Sequence, residues 1–237
     1  MGGAVVSITH IDPDDASAYL NVTDNGDGTY SSVVTSTLAG THSLEITLNG
    51  APISGSPYAV TVLPGAIYGP NCRAVGTPPS SSEAGTTSTF NIQGYDRYNN
   101  KLTSSDISRD DVSASLAPKK PTDSISVAAV AAGQYEIEFS VETAQEYEIK
   151  VTVGGDEIVG SPFAFDGTPG PISPADCEHE DAPSTVIAGM PALFYVVSYD
   201  EYGNEVTEGG ETVTLVVNPP VSGNTHKISD LGTKEVD

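Results

Sequence analysis

Several short segments contain the residue types that metal binding or catalysis would require. The first, Asp24-Asn25-Gly26-Asp27-Gly28, is rich in oxygen ligands and could suggest a calcium loop. An EF-hand loop, however, needs oxygen ligands at its first, third and fifth positions, and two of these positions are Gly26 and Gly28. The corresponding turn in the next repeat, Ala129 to Gly133, contains no carboxylate. We therefore interpret the segment as a tight strand-connecting turn rather than a cation site.

A second segment, Cys177-Glu178-His179-Glu180-Asp181, combines thiol, imidazole and carboxylate groups, all of which can bind a metal. The remaining histidines, His10, His42 and His226, have no second ligand at metal spacing within a defined element. Because the cluster lies in a strongly acidic part of the chain, a solvated acidic turn is the favoured interpretation, and a metal site is the alternative.

Two serines lie between a glycine and a proline, in Gly55-Ser56-Pro57 and Gly160-Ser161-Pro162. A nucleophile elbow needs the pattern Gly-x-Ser-x-Gly between a strand and a helix, which neither segment has. Proline within a strand indicates an edge or a bulge. We therefore predict a structural kink in the last strand of each repeat, and no nucleophile.

Asp96 and Asp200 each precede a predicted chain reversal, in which Asn99 occupies the position of Gly203. Asparagine and glycine are the residues that tolerate a positive φ. Turn geometry explains the motif, since an aspartate side chain can accept backbone N–H bonds across a reversal.

The sequence offers no combination of these residues that would form a known catalytic centre. No Ser–His–Asp set, pair of carboxylates in a cleft or phosphate-binding loop can be assembled from it. We therefore predict a protein that is not an enzyme, with no catalytic residues, no cofactor and no metal site.

The elements that position these residues repeat along the chain. Gly28-Thr29-Tyr30 aligns with Gly133-Gln134-Tyr135, and Pro64-Gly65 aligns with Pro169-Gly170, both at an offset of 105 residues. A fixed period of this length indicates tandem copies of one domain. Arrays of one small domain usually hold, space or connect other molecules.

The period predicts three parts in the chain. Residues 1–64 correspond to the C-terminal part of one repeat, residues 65–169 to a complete repeat, and residues 170–237 to the N-terminal part of a further repeat. Half a core cannot offset the entropy of ordering its chain, so we expect flanking sequence in the natural protein.

Composition and charge narrow the class of partner. The 237 residues have 38% hydrophobic and 7% aromatic content and a net charge of −23, which is ordinary for a globular but acidic chain. Acidic residues outnumber basic ones in all three parts. Such a surface repels phosphate backbones and anionic lipid, and no apolar run has the length of a membrane span. We therefore expect protein or peptide partners and neighbouring repeats, rather than nucleic acid or direct membrane insertion.

The two cysteines, Cys72 and Cys177, occupy the same place in successive repeats. Equivalent points of consecutive domains are normally too far apart for a disulfide. Unpaired thiols favour a reducing, cytoplasmic or cytoskeletal compartment, which includes the cilium. The glycosylation pattern Asn21-Val22-Thr23 leaves an extracellular or cell-surface origin as the alternative.

The hydrophobic pattern is that of strands throughout. Residues 43–48 and 148–153 alternate strictly between polar and apolar, as half-buried antiparallel strands do, and glycine-rich turns separate the strands. About seven strands in about 105 residues predict an all-β fold, a series of immunoglobulin-like β-sandwiches. In the complete repeat the predicted strands lie near residues 70–75, 87–96, 111–116, 124–129, 134–141, 145–153 and 158–166.

The predicted core contains neither tryptophan nor a disulfide, which excludes the antibody version of this fold. It consists of aliphatic residues, tyrosines and phenylalanines that alternate along the strands. They are Phe90, Ile92, Val112, Leu116, Val127, Tyr135, Ile137, Phe139, Tyr147, Ile149, Val151 and Phe163.

Several motifs of the chain together resemble a filamin-type repeat. The segments Asn25-Gly26-Asp27-Gly28-Thr29-Tyr30, Ala39-Gly40-Thr41-His42 and 48–58 look like its second half. Ala84-Gly85 followed by Phe90 and by residues 95–100 resembles its first half. The resemblance covers the whole chain and recurs in register.

The resemblance implies a way of binding. Filamin-type repeats bind partners by letting an extended peptide add beside the third strand and lie in the groove against the fourth strand, because an open sheet edge offers unpaired N–H and C=O groups. Here the third strand would begin at Asp111 and the fourth would contain Ser126. The candidate binding residues are Val112, Ser113, Ala114, Ser115, Leu116, Ile125 and Val127.

Three functions therefore remain open at the level of sequence. The first is a non-enzymatic scaffold that spaces or docks partner proteins. The second is an extracellular or cell-surface adhesion array. The third is an accessory segment of an enzyme that lies outside this chain.

Overall fold

The computed structural model describes residues 4–103, 112–210 and 212–214. These residues form β-strands and one short 3-10 helix, Gly69–Asn71. The strands before the first Pro-Gly are β1 (Val6–Ile11), β2 (Ser17–Tyr19), β3 (Val22–Asp24), β4 (Tyr30–Ser32), β5 (Gly40–Leu48), β6 (Ala51–Pro52) and β7 (Tyr58–Val62). The strands between the two Pro-Gly pairs are β8 (Arg73–Val75), β9 (Ser81–Glu83), β10 (Thr87–Gln93), β11 (Val112–Ala117), β12 (Ser124–Ala131), β13 (Gln134–Ser140), β14 (Glu146–Val153), β15 (Asp156–Glu157) and β16 (Phe163–Thr168). The last two are β17 (Glu178–Glu180) and β18 (Tyr195–Val197).

Strands β8 to β16 form the middle sandwich, which consists of two sheets. One sheet has the order β12-β13-β10-β8, and the other has the order β11-β14-β16-β9, with β15 beside β14. The pairs are antiparallel except for β9 and β16, which run parallel. The predicted all-β fold, a two-sheet sandwich of the immunoglobulin type, is confirmed.

The strand boundaries differ from the sequence prediction at several places: β8 begins at Arg73, after the 3-10 helix, β10 ends at Gln93, and β15 is an additional short strand. Strand β9 was not predicted, because three residues between Pro and Gly carry no clear alternation. The last strand begins at Phe163, directly after Pro162, so that the proline precedes the strand instead of bending it. Strand β7 begins at Tyr58 in the same way after Pro57.

The core lies between the two sheets of the middle sandwich. In β14 the apolar residues at alternate positions are buried and the intervening Glu148 and Lys150 are exposed, because successive side chains of a strand point to opposite faces. Aromatic rings fill the centre: Tyr147 stacks on Phe165 with ring centroids 5.2 Å apart. Ten of the twelve predicted core residues are buried, and Val127 and Phe163 are half-buried and pack against the core from its margin.

The first segment, strands β1 to β7, forms the corresponding half of a sandwich. Its sheet has the order β2-β1-β5-β6, and β7 also pairs with β5, while β3 and β4 form a separate hairpin. His42 and Leu44 of β5 are buried. The third segment contains the antiparallel pair β17 and β18.

In the described residues, no helix is long and apolar enough to cross a membrane.

We predict that residues 65–169 fold cooperatively as an isolated domain, because all strands and the core of the middle sandwich lie within these limits. Circular dichroism of this fragment should give a β-sheet spectrum and a single thermal transition. A random-coil spectrum would show that the repeat does not end where the Pro-Gly pairs indicate.

Candidate functional site

The candidate site is the outer side of β11. This strand is the terminal strand of its sheet and pairs with β14 on its inner side, from Val112 opposite Val153 to Ala117 opposite Glu148. Among the described residues, no strand pairs with its outer side. Asp111, the predicted first residue of the strand, lies outside the described residues. The predicted edge position of this strand is therefore what the structure shows.

The backbone groups that face outward can be identified from the neighbouring strand. The N–H of Val151 donates to Ser161 Oγ at 3.0 Å, and its carbonyl accepts from the N–H of Ile158 at 3.2 Å. Both groups of Val151 therefore point away from β11. Its partner Ala114 is then a non-hydrogen-bonded pair in the β11–β14 ladder, so the N–H and C=O of Ala114 face the open edge.

The residues two positions before and two positions after Ala114 share this orientation, because hydrogen-bonded and non-hydrogen-bonded pairs alternate along an antiparallel ladder. The outward N–H and C=O groups thus belong to Val112, Ala114 and Leu116. The side chains of Val112 and Leu116 are buried in the core, and Ala114 is half-buried between them. Ser113 and Ser115 point to the exposed face of the sheet. Small side chains leave room beside this edge for an incoming backbone.

The second side of the site is β12, the terminal strand of the opposite sheet. It lies against β11, and its residues Ile125 and Val127 are half-buried at the margin of the core. Ala114, Ile125 and Val127 are all partly buried and pack against the core from its margin, and we call these three residues the apolar strip. The seven predicted site residues thus lie on two neighbouring strands, but their side chains point in different directions: Val112 and Leu116 are in the core, and Ser113 and Ser115 are on the exposed face.

The charges next to this face have both signs. Lys150, the partner of Ser115 in the ladder, forms an ion pair with Glu157 at 2.7 Å. Both side chains are about half exposed, so the pair contributes roughly 0–1 kcal/mol to stability. The neighbouring Glu148 is exposed.

The equivalent edge of the first segment is already occupied. Strand β1 corresponds to β11, since Val6 pairs with Leu48 as Val112 pairs with Val153. The chain's own strand β2 lies along its outer side, and the N–H of Leu20 donates to the carbonyl of Ile8 at 2.9 Å. The outer edge of β1 is therefore covered by the segment that follows it directly in the chain.

Sequence reasoning did not predict β2, although a signal was present. Asp12 starts a turn in which its carboxylate accepts the N–H of Ala16 at 2.9 Å, and its own N–H donates to the carbonyl of Ala16. The segment Asp12-Pro13-Asp14-Asp15 has the composition of such a turn, so a hairpin could have been inferred there.

The segment Asp24–Gly28, which resembles a calcium loop in composition, forms the turn between β3 and β4, as predicted. Asp24 Oδ1 accepts the N–H of Gly26 at 2.9 Å, and Asp27 Oδ1 accepts the N–H and the hydroxyl of Thr29. The hydroxyl bond of Thr29 is the largest cause of a lowered pKa at Asp27. The carboxylates are thus engaged by their own turn.

The two cysteines lie in different surroundings. Cys72 is fully buried and its thiol donates to the carbonyl of Tyr68 at 3.3 Å, and burial raises the pKa of this thiol. The acidic turn predicted at Cys177–Asp181 is instead the strand β17, which pairs with β18 and leaves Glu178, His179 and Glu180 exposed, so the segment is solvated but is not a turn. Both thiols are free, and the described residues contain no group of three potential metal ligands.

The two aspartates of the reversals form the turns that the sequence predicted. Asp96 Oδ1 accepts the N–H groups of Tyr98 and Asn100 at 2.9 and 2.8 Å. Burial alone raises the pKa of Asp96, but the side-chain bond from Asn100 and the backbone donors outweigh it and lower the pKa. Asp200 has the same surroundings, and its pKa is lowered for the same reasons.

Two solved structures share this architecture. FdeC, an adhesin of Escherichia coli, is 20% identical with a TM-score of 0.55, and the match covers 84% of this chain and 62% of the FdeC chain. InvD of Yersinia pseudotuberculosis is 21% identical with a TM-score of 0.54, over 87% of this chain and 62% of the other. The chain spans less than two thirds of either structure, and at these identities the likeness concerns the fold.

The sequence also matches a family model in two places. The model describes the Filamin/ABP280 repeat, and the matched residues are 2–59 and 67–164. This family consists of non-catalytic repeats with structural or binding roles. The two matches cover more than half of the chain and agree with the sandwich topology described above. The chain therefore belongs to the Filamin/ABP280 repeat family.

Proposed function

We propose that this chain is a non-enzymatic docking segment whose middle sandwich binds an extended peptide of a partner protein along β11. The observation that carries the proposal is the row of outward N–H and C=O groups at Val112, Ala114 and Leu116. An added strand would satisfy these groups and lay alternate side chains on the apolar strip beside β12.

Two further observations support the proposal. The corresponding edge of the first segment already holds β2, so a partner strand would find its outward groups occupied. The net charge of −23 favours partners with basic side chains, which would also associate faster at low ionic strength. The predicted partner is a neutral or basic extended peptide.

We predict that Ala114→Pro abolishes this binding and leaves the fold largely intact. The N–H of Ala114 faces outward, so proline removes no hydrogen bond of the sandwich, whereas it removes one donor from the edge and crowds the incoming strand. Ala114→Ser is the matched control, because it keeps the N–H and adds one atom. We expect a loss of at least about tenfold in affinity for the proline variant, which equals about 1.4 kcal/mol.

The measurement begins with random peptides displayed on phage and selected against the full chain. Binding of the selected peptides to both variants is then measured by calorimetry, and the backbone amides are followed by NMR. Peptides that bind the Ala114→Pro chain as tightly as the original would refute the proposal. Perturbed amides of Val112, Ala114 and Leu116 would support it.

A second candidate function is a cell-surface recognition array. Two observations favour it: the likeness to the adhesin FdeC, and the exposed side chain of Asn21 in the sequence Asn21-Val22-Thr23. Mass spectrometry of the protein from its natural source would test it. A glycan on Asn21 would favour this function, and an unmodified Asn21 in every copy would remove that support.

A further inference from the structure

The turn that contains Asp96 and Asn100 also forms hydrogen bonds with the preceding repeat. Asn100 Oδ1 accepts the N–H of Ala39 at 2.8 Å, and Asn100 Nδ2 donates to the carbonyl of Thr37 at 2.8 Å. Residues 37–39 connect β4 to β5 in the first segment. The amide of Asn100 thus pairs with two backbone groups of another repeat.

The same turn also holds the connection between the two repeats. Asp96 Oδ2 accepts the N–H of Gly65 at 2.8 Å and the second N–H of Asn100 Nδ2 at 2.8 Å. The chain leaves β7 at Val62 and re-enters a bridge with Asp96 at Ile67. The short connection between the two repeats is therefore held near its middle by the hydrogen bond from Gly65 to Asp96.

We call the contact between the first and middle segments the first joint and the contact between the middle and third segments the second joint. The second joint repeats the hydrogen-bond network of the first atom for atom. Asn204 Oδ1 accepts the N–H of Ala144 at 2.8 Å, and Asn204 Nδ2 donates to the carbonyl of Glu142 at 2.8 Å. Asp200 Oδ2 accepts from Gly170 N at 2.8 Å and from Asn204 Nδ2 at 2.7 Å.

Burial agrees with a structural role for this network. Asp200 is 0% exposed and Asn204 is 8% exposed, although both belong to a turn between strands, where polar residues are normally solvated. An asparagine amide presents one acceptor and two donors in a plane. It can therefore pair with a neighbouring N–H and C=O as a backbone peptide would, while its second donor reaches the aspartate.

The second joint also contains a contact with a residue of the preceding repeat whose counterpart is not part of this chain at the first joint. A Cβ placed on Gly85 would lie 2.1 Å from the hydroxyl oxygen of Tyr202, so the tyrosine rests against the backbone at this glycine. Tyr202 is 38% exposed, compared with 57% for the corresponding Tyr98 of the first joint. The turn preceding β10 therefore adds to the surface that receives the next repeat.

We propose that Asn100 and Asn204 lock each repeat to the preceding one in a single relative orientation. At each joint the partner is the next copy of the same domain. Its asparagine amide recognises a carbonyl and an N–H two residues apart in the preceding repeat, at Thr37 and Ala39 or at Glu142 and Ala144. Because both joints use the same atoms, each adds the same rotation and translation, and the chain is a stiff segment instead of a flexible string. This inference does not depend on peptide binding at β11.

Electron-spin distance measurement on the full chain tests the lock. Spin labels are attached to cysteines introduced at the exposed positions Thr23 and Ser126, in a Cys177→Ser background, since the native Cys72 is buried. We expect one narrow distance distribution for this chain. Asn100→Ala should lose that narrow peak and give a broad distribution, because the joint then populates several orientations.

Asn99→Gly is the matched control, since Asn99 has a φ of 65° and the second joint has Gly203 at this position. It should keep the narrow peak. The amide shifts of Tyr98 and Asn100 report whether the turn itself survives in the alanine variant. A second variant, Ala39→Pro, removes the donor from the other side of the joint and leaves the turn unchanged. Narrow distributions in both Asn100→Ala and Ala39→Pro would overturn the proposal.

Discussion

Tyr135→Ala is expected to lower the free energy of unfolding of the middle sandwich by about 3–5 kcal/mol, the range for an aromatic side chain truncated in a core. Tyr135 is 3% exposed and is the second residue of the alternating strand β13. It pairs with Ile92 of β10 on one side and with Ala129 of β12 on the other. Truncation would leave a cavity in the core between the two sheets, which the surrounding side chains can fill only in part.

Urea denaturation of residues 65–169, followed by circular dichroism, measures this change. Glu138→Ala is the control, because Glu138 lies on the same strand with its side chain exposed and should change stability by no more than about 0.5 kcal/mol. A loss below about 1 kcal/mol for Tyr135→Ala would mean that the tyrosine does not contribute to the core as its burial indicates.

Asp96→Ala is expected to destabilise the middle sandwich of the full chain by roughly 2–4 kcal/mol, because hydrogen bonds to a charged group are strong and orphaned buried donors are costly. The carboxylate is 1% exposed. It accepts the N–H groups of Gly65, Tyr98 and Asn100 as well as the side-chain amide of Asn100. Removal of the carboxylate leaves four donors without this acceptor.

The matched control is Asp166→Ala, since Asp166 is an exposed aspartate in the same sandwich. Its removal should cost no more than about 0.5 kcal/mol. Equal losses in the two variants would show that the turn gains nothing from the buried carboxylate.

The stability contributed by Asp96 should also depend on pH in a defined direction. Its pKa is lowered in the folded state from an ordinary value of 3.8, so the unfolded chain takes up a proton first as the pH falls. The contribution is therefore complete above the unfolded pKa and is lost as the pH falls through the lower, folded pKa. Urea midpoints should decline below about pH 4, and the decline should be smaller in Asp96→Ala. An identical decline in both proteins would contradict this assignment.

Much of the fold could be predicted from the sequence, because it rests on local and periodic properties. The alternation in β13 and β14 determines which side chains face the core, and Tyr135 and Ile149 are buried accordingly. The offset of 105 residues relates the two Pro-Gly pairs and indicates a repeated domain. The edge position of β11 followed from the family resemblance, and the ladder with β14 agrees with it.

Other features depend on residues that are distant in sequence, and only the tertiary structure decided them. Val127 and Phe163 alternate as core residues do, but they lie at the margin of the sandwich, so they are half-buried. The covering of β1 by β2 depends on how one loop folds back. The bonds of Asn100 join residues 61 and 63 positions apart. Sequence identified the domain and its strands because alternation and turn chemistry act locally, whereas contacts between edges and between repeats exist only once separate segments meet in space.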